Sequence, residues 1–330
     1  MKCAILLANQ TRARVFDDTT LAELARKTEV VIRPVEKITP ENAAEIIAGA
    51  GAAITSWGSV RLEKPILDAA PDLKIVAHAA GSVKGIVSDE LVRRGIRITS
   101  AAAALGVGVA EYTLGAMLMM GKRLKEQMRS VESGGWGSPA AARMLEMFRA
   151  SVGIVGAGFV GRNLVRLLKN FELESISVYD PYLASDKASE LGVRKASLED
   201  LFAGSDYICI CAPSTAETRG MISRKLIQSI RDDAVFVNAA RGAIVDEAAL
   251  ADELKTGRFL ALIDVTEPEP PRPDHPLRNL PNVIMTPHMA GAVTRNVKRN
   301  GLFAAREIIN FVDGKPLNFP VDLSSLDKIA

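Results

Sequence analysis

The sequence predicts an α/β protein made of two doubly wound parallel sheets. Two successive series of short apolar runs alternating with helical stretches point there. So does a strand, a glycine-rich turn and an amphipathic helix in immediate succession at Ser151–Leu168. The 330 residues suit two domains at about 150 residues each. With 48% hydrophobic and 24% charged residues and no low-complexity tract, both halves can bury a full core.

The first series reads as strands at Cys3–Ala8, Glu29–Val35, Ala52–Trp57, Lys74–Ala79 and Arg97–Thr99, with helices at Leu21–Lys27, Glu41–Ala50 and Asp89–Arg94. The second reads as strands at Val152–Val155, Ser175–Tyr179, Tyr207–Cys211, Ala234–Asn238, Leu260–Val265 and Val283–Thr286. Parallel strands need crossover connections, and the helical stretches supply them. Between the series, Ala101–Gly121 carries one charge, Glu111, and is long enough to span a bilayer. Its three glycines, Gly106, Gly108 and Gly115, and the lack of an aromatic belt make it a buried helix joining two lobes, with no membrane partner. Ala292–Gly314 reads as a final helix before a short extended end.

Lys and Arg number 41 against 39 Asp and Glu, a net charge of +2. That balance excludes charge-driven binding to nucleic acid. Cys3, Cys209 and Cys211 are too few for a disulfide framework and fit a reducing, cytoplasmic location. Cys209-Ile-Cys211 lies in a strand with no other Cys or His nearby in sequence, so we read buried thiols and no metal. The apolar run from Ala4 to Ala8 is too short for a signal peptide and reads as the first strand.

The turn Gly156-Ala-Gly158-Phe-Val-Gly161 follows a strand and opens a helix. In that setting Gly156 permits the tight turn, Gly158 lets a pyrophosphate approach the backbone, and Gly161 lets helix pack on strand. Asp180 stands nineteen residues after Gly161, at the end of the next strand. Its carboxylate would accept from ribose hydroxyls and repel a 2′-phosphate, which favours NAD over NADP.

Three motifs fall at or just beyond later strand ends: Asn238-Ala239-Ala240-Arg241-Gly242, Asp264-Val-Thr-Glu267-Pro-Glu269-Pro270 and Thr286-Pro287-His288-Met289-Ala290. Hydride transfer at a 2-hydroxy acid needs a cation for the carboxylate and a base for the hydroxyl proton. Arg241 and His288 have that chemistry. Glu269 is the carboxylate that would hold the imidazole tautomer. His275, in a Pro-rich loop, reads as a loop residue.

With these motifs the chain resembles the D-isomer-specific 2-hydroxyacid dehydrogenase family over nearly its whole length. The resemblance implies a catalytic trio of Arg241, Glu269 and His288. It implies a Rossmann NAD-binding domain, residues 101–290, inserted into a flavodoxin-like substrate domain of residues 1–100 and 291–330. The glycine turn, with Phe159 and Val160, and Asp180 with Pro181 would meet NAD. Ala212 and the Pro213–Thr218 run, similar to the family's P-L-T-x-x-T loop, would join them. So would Ala239, Ala240, Asp264, and Val109 of a V-A-E segment. Lys122–Arg149, with Trp136, would pair two copies into a homodimer. The expected reaction is NAD-dependent interconversion of a D-2-hydroxy acid and its 2-oxo acid. Phosphoglycerate oxidation specifically, and an NAD-sensing corepressor-like binding protein, are the alternatives. Glu269 stands where formate dehydrogenases carry Gln, which disfavours formate.

The resemblance breaks in the segment expected to meet substrate. Where relatives read R-x-G-x-G-x-D, this chain has His78 for Arg and Lys84 for Asp. Backbone N–H groups around Ala80, Gly81 and Ser82 would still hold a carboxylate, and His78 either meets substrate or is packed. Ser100 and Leu105 stand where relatives carry asparagines. Trp57 occupies about the place of an arginine in phosphoglycerate-using members, although Arg61 and Lys64 are close in sequence.

Overall fold

The computed structural model describes residues 1–291 and 293–326. It divides into two units, one of Met1–Leu105 with the C-terminal segment, the other of Gly106–Gly291.

The first unit is built on β1 (Lys2–Ile5), β2 (Glu29–Val31), β3 (Ala52–Thr55), β4 (Ile75–His78) and β5 (Arg97–Ser100), all parallel in the order β2-β1-β3-β4-β5. Helices Pro40–Ile47, Lys64–Asp68 and Asp89–Arg93 pack one face, where Ala4, Ala53 and Val76 meet Ile46, Ile66 and Leu91. On the other face Cys3, Ile5 and Ile54 meet Val15, Leu24 and Ile308 from helices Asn9–Val15, Asp18–Ala25 and Thr294–Val312. Burial on both faces is why the central strands β3 and β4 read as apolar runs. The edge at β5 is covered by the tail: Ser100 N donates to Phe319 O at 3.2 Å and Val321 N to Ile98 O at 2.8 Å.

The second unit is a parallel sheet of β6 (Ser151–Val155), β7 (Ser175–Tyr179), β8 (Arg194–Lys195), β9 (Tyr207–Ile210), β10 (Val235–Asn238), β11 (Leu260–Ile263) and β12 (Val283–Met285). The order β12-β11-β10-β9-β6-β7-β8 puts the topological switch between β6 and β9. Open α/β sheets place ligands beyond the carboxyl ends of the strands at such a point. The Ala102–Gly121 helix is long and apolar enough to cross a membrane by length and composition. Its Ala110, Ala116, Met117 and Met120 pack with Ile154 and Cys209 of this unit's core.

The structure corrects several expected boundaries. The unit borders fall after Leu105 and Gly291, where the sequence suggested 100 and 290. Residues 101–105 stay with the first unit because Ala101 N donates to His78 O at 3.0 Å and Leu105 O accepts from Asn296 Nδ2 at 3.3 Å. The Asn9–Val15 helix was not apparent, since only Val15 in it is buried. The five-residue Lys64–Asp68 helix escaped because it is too short for an apolar pattern to repeat over two turns. β8 is two exposed basic residues on the sheet edge and gives no apolar signal.

Candidate active site

After β6 the chain turns through Gly156 and Gly158 into the helix Phe159–Leu168. Gly156 has φ 102°, and a Cβ there would lie 2.7 Å from Ala212 N; a Cβ on Gly161 would lie 2.1 Å from the Gly156 oxygen. The chain's own packing requires both glycines. Gly158 differs, because nothing lies within 4 Å of where its Cβ would be. The exposed space it leaves adjoins a helix N-terminus, a setting that suits a pyrophosphate.

Asp180, just past β7, is held at this turn: Oδ2 accepts from Ala157 N at 2.7 Å and Oδ1 from Tyr182 N at 2.8 Å. Pro181 beside it is exposed. Ala212 and Pro213 follow β9, where Thr218 closes its loop by donating from Oγ1 to Pro213 O at 2.6 Å. Val109, Ala239 and Ala290 form one small apolar cluster with Tyr112 and Val160 packed against it. Six segments far apart in sequence thus come together at this end of the second unit, and the residues present fit a dinucleotide.

Asn238 ends β10 and folds the next turn, its Oδ1 accepting from Ala240 N and its Nδ2 donating to Arg241 O, both at 3.1 Å. Arg241 is exposed, with one guanidinium nitrogen donating to Ala240 O at 2.6 Å. A Cβ on Gly242 would sit 2.2 Å from the Thr266 carbonyl carbon, so this turn lies directly on the backbone leading to Glu269. Glu269 Oε2 is 2.8 Å from His288 Nδ1, and its Oε1 accepts from Thr266 N at 3.3 Å. The imidazole is 45% exposed and the carboxylate 38%. With Nδ1 committed to Glu269, Nε2 is the ring nitrogen left for a solute.

His288 has φ 48°, a left-handed conformation that costs a residue with a Cβ. Asp264 holds it there. Expected as a cofactor contact, Asp264 is 2% exposed, and its oxygens accept from Thr286 Oγ1 at 2.6 Å and from Met289 N and Ala290 N at 2.9 Å. Three of the chain's own donors meet this carboxylate, so it holds the turn. His275 Nε2 lies 3.3 Å from Glu247 Oε2, while Glu247 Oε1 accepts from Glu267 N at 3.0 Å. Burial pushes the Glu247 carboxyl above the usual range. Cys209 and Cys211 are free, buried thiols, Cys211 pushed up to about 12 by burial.

In the first unit, Trp57 follows β3 and is 38% exposed. His78 ends β4 and is a packed residue, which removes it from direct contact with a solute. It is 4% exposed, its Nδ1 lies 2.9 Å from Thr55 Oγ1, and burial lowers its pKa to about 4. The Ser100 hydroxyl lies 2.6 Å from Gly81 O, and Leu105 packs where a Gly81 Cβ would be. The N–H groups of Ala80, Gly81 and Val83 donate to no backbone acceptor among the described residues. Ser82 is half-buried and Lys84 exposed. Sequence reasoning missed Asn238 and Thr286 as organisers although both stand in the quoted motifs, and Tyr112 had no local signal at all.

Residues 114–290 match the family model described as D-isomer specific 2-hydroxyacid dehydrogenase, NAD binding domain. The chain is 30% identical over 300 residues to a glyoxylate reductase/hydroxypyruvate reductase of Homo sapiens, covering 89% of this chain and 92% of that one. It is 34% identical over 277 residues to a D-3-phosphoglycerate dehydrogenase of Archaeoglobus fulgidus, covering 83% of this chain and 52% of that one. A phosphoglycerate oxidoreductase from Rhizobium etli shares the fold with a TM-score of 0.83 at 28% identity, covering 98% of this chain and 99% of that one. The chain therefore belongs to the D-isomer-specific 2-hydroxyacid dehydrogenase family and carries its NAD-binding domain. It spans about half the length of the phosphoglycerate dehydrogenases it matches, 52%, 53% and 46% of three of them.

Proposed function

We propose that this chain is an NAD-dependent D-2-hydroxyacid dehydrogenase that acts as a 2-oxoacid reductase. The 2.8 Å contact between His288 Nδ1 and Glu269 Oε2 carries the proposal. The glycine turn and Asp180 would hold NADH, which when bound would supply the hydride for substrate C2. His288 gives its Nε2 proton to the carbonyl oxygen, which becomes the hydroxyl, and Glu269 supports the ring through Nδ1. Arg241, exposed with guanidinium donors to spare, orients the substrate carboxylate. In the reverse direction His288 takes the hydroxyl proton. In the first unit we assign Trp57 and the Ala80–Ser82 turn to substrate.

A small unphosphorylated 2-oxo acid fits better than a phosphorylated one. Arg61 already pairs with Glu63 at 3.1 Å and Lys64 with Asp68 at 2.6 Å, so neither is a free cation waiting for a phosphate. The similarity to phosphoglycerate dehydrogenases keeps 3-phosphohydroxypyruvate in the test. NADH consumption is followed against glyoxylate, hydroxypyruvate, pyruvate, bulkier 2-oxo acids and 3-phosphohydroxypyruvate. Turnover on one of them is expected. Silence across the panel with NADH binding intact would point instead to an NAD-sensing binding protein or to a substrate outside the panel.

We further propose that the second unit pairs with its copy in a homodimer. Leu124, Met128, Val131, Trp136 and Phe148 are apolar and exposed, Trp136 by 94%, and such a surface suits a partner. A cytoplasmic location completes the reading, supported by three free cysteines.

A further inference from the structure

Tyr112 lies on the Ala102–Gly121 helix, 174 positions from Thr286, yet its hydroxyl is 2.5 Å from Thr286 Oγ1. The direction of that bond follows from the proton count. Thr286 has one hydroxyl proton and donates it to Asp264 Oδ1 at 2.6 Å, since a carboxylate there can only accept. Tyr112 must then be the donor, and burial raises its pKa to about 12, which keeps the phenol protonated. The result is a directed chain from Tyr112 to Thr286 to Asp264, each bond polarising the next.

That chain ends on the carboxylate that fixes His288. Asp264 accepts from Met289 N and Ala290 N, both at 2.9 Å, and its backbone oxygen accepts from His288 N at 2.8 Å. The residues on both sides of His288 are therefore tied to one buried acid. The left-handed backbone of His288 needs such a hold, because a relaxed chain would leave it. Tyr112 is the member of this network, among the described residues, that comes from outside the two segments 264 and 286–290. Its ring is seated against the cluster of Val109, Ala239 and Ala290.

We propose that Tyr112 is a positioning residue for the proton donor, acting through Thr286 and Asp264 to hold the His288 ring on Glu269. The proposal rests on the reading of His288 as the group that moves the proton. The tests are Tyr112→Phe, which keeps the ring and removes the donor, and the pair Thr286→Val and Thr286→Ser, which differ in the hydroxyl. Two readouts are taken on the full-length chain. One is kcat and KM with NADH and whichever 2-oxo acid the wild type reduces. The other is the ¹⁵N ring signals of His288 in the ligand-free protein, assigned by His288→Asn among only three histidines.

Tyr112→Phe and Thr286→Val should each lower kcat roughly tenfold, the size of one lost hydrogen bond, with KM for NADH little changed. Their His288 signals should shift from a single tautomer towards a mixture. Thr286→Ser should stay near wild type in both readouts. The proposal is overturned if Tyr112→Phe and Thr286→Val leave kcat and the ring signals unchanged, or if Thr286→Ser behaves like Thr286→Val. Should Tyr112→Phe fail to fold, the Thr286 pair decides. If the wild type reduces no 2-oxo acid, the activity reading falls, while the ring signals still decide whether Tyr112 positions His288.

Discussion

Glu269 Oε2 meets His288 Nδ1 at 2.8 Å, although nineteen residues separate them and each belongs to a different loop. Neither loop is left to wander: Gly242 and Thr266 brace the one, Asp264 the other. Replacing His288 by Ala should lower kcat by roughly 10²- to 10⁴-fold, the usual size of a general acid–base contribution. Steady-state kinetics with intact NADH binding are the check, and unimpaired turnover would remove His288 from the reaction.

The glycine turn separates packing from binding. Gly158→Ala places its methyl group in open space and should leave the melting midpoint unchanged while weakening NADH binding at least ~10-fold. Gly161→Ala drives a methyl group into the Gly156 carbonyl and should cost about 1–3 kcal/mol of stability as well. Thermal melts and NADH fluorescence titrations on the two variants would show whether they diverge in this way.

Asp180 bears on cofactor choice. Substituting Ser removes the charge that opposes a 2′-phosphate, and the ratio of kcat/KM for NADH over NADPH should fall by ~10-fold or more. Ser also loses part of the hold on Ala157 N and Tyr182 N, so some loss with NADH is expected too. A ratio that does not move would mean that another group selects the dinucleotide.

His78 makes the first unit sensitive to acid. Its folded pKa, about 4, is below the ordinary 6.5, so the folded state favours the neutral ring. The stabilisation is complete above pH 6.5 and is lost as pH falls from there towards 4, by about 3 kcal/mol in all. Urea midpoints across that range should drop more steeply for wild type than for His78→Asn. Parallel curves would place the acid sensitivity elsewhere.

For the proposed homodimer, Trp136→Glu combined with Met128→Lys should give a monomer by sedimentation velocity while the fold, read by circular dichroism, is kept. A wild-type chain that is already monomeric would refute the pairing.

Most of the scaffold was legible because its strands are buried on both faces. Apolar runs such as Ile75–His78 and Leu260–Ile263 carry their own signal. The glycine turn and the trio were legible because their chemistry is local to short motifs. His78 was not, because the same residue at the same strand end serves equally well packed or facing a solute, and only its bond to Thr55 and its burial distinguish the two. Tyr112 was invisible for a different reason: its partner lies 174 positions away. Asp264 was seen in its motif but its hold on the His288 turn was not, since a buried acid that ties its own loop and one that meets a ligand look alike as a letter in a motif.

The first unit is interrupted and the second is continuous. Val297, Ala304 and Ile308, on the Thr294–Val312 helix, complete the face made by Ile5, Ile54 and Ala77. On a ribosome, β1 to β5 emerge early with the helices Asn9–Val15 and Asp18–Ala25, but the part of that apolar face that Val297, Ala304 and Ile308 cover stays bare until the Thr294–Val312 helix follows, after all seven strands of the other sheet. Vectorial synthesis thus lets the dinucleotide half mature first. The half that is begun first is finished last, and during that interval its uncovered face is the surface most exposed to chaperones and to aggregation.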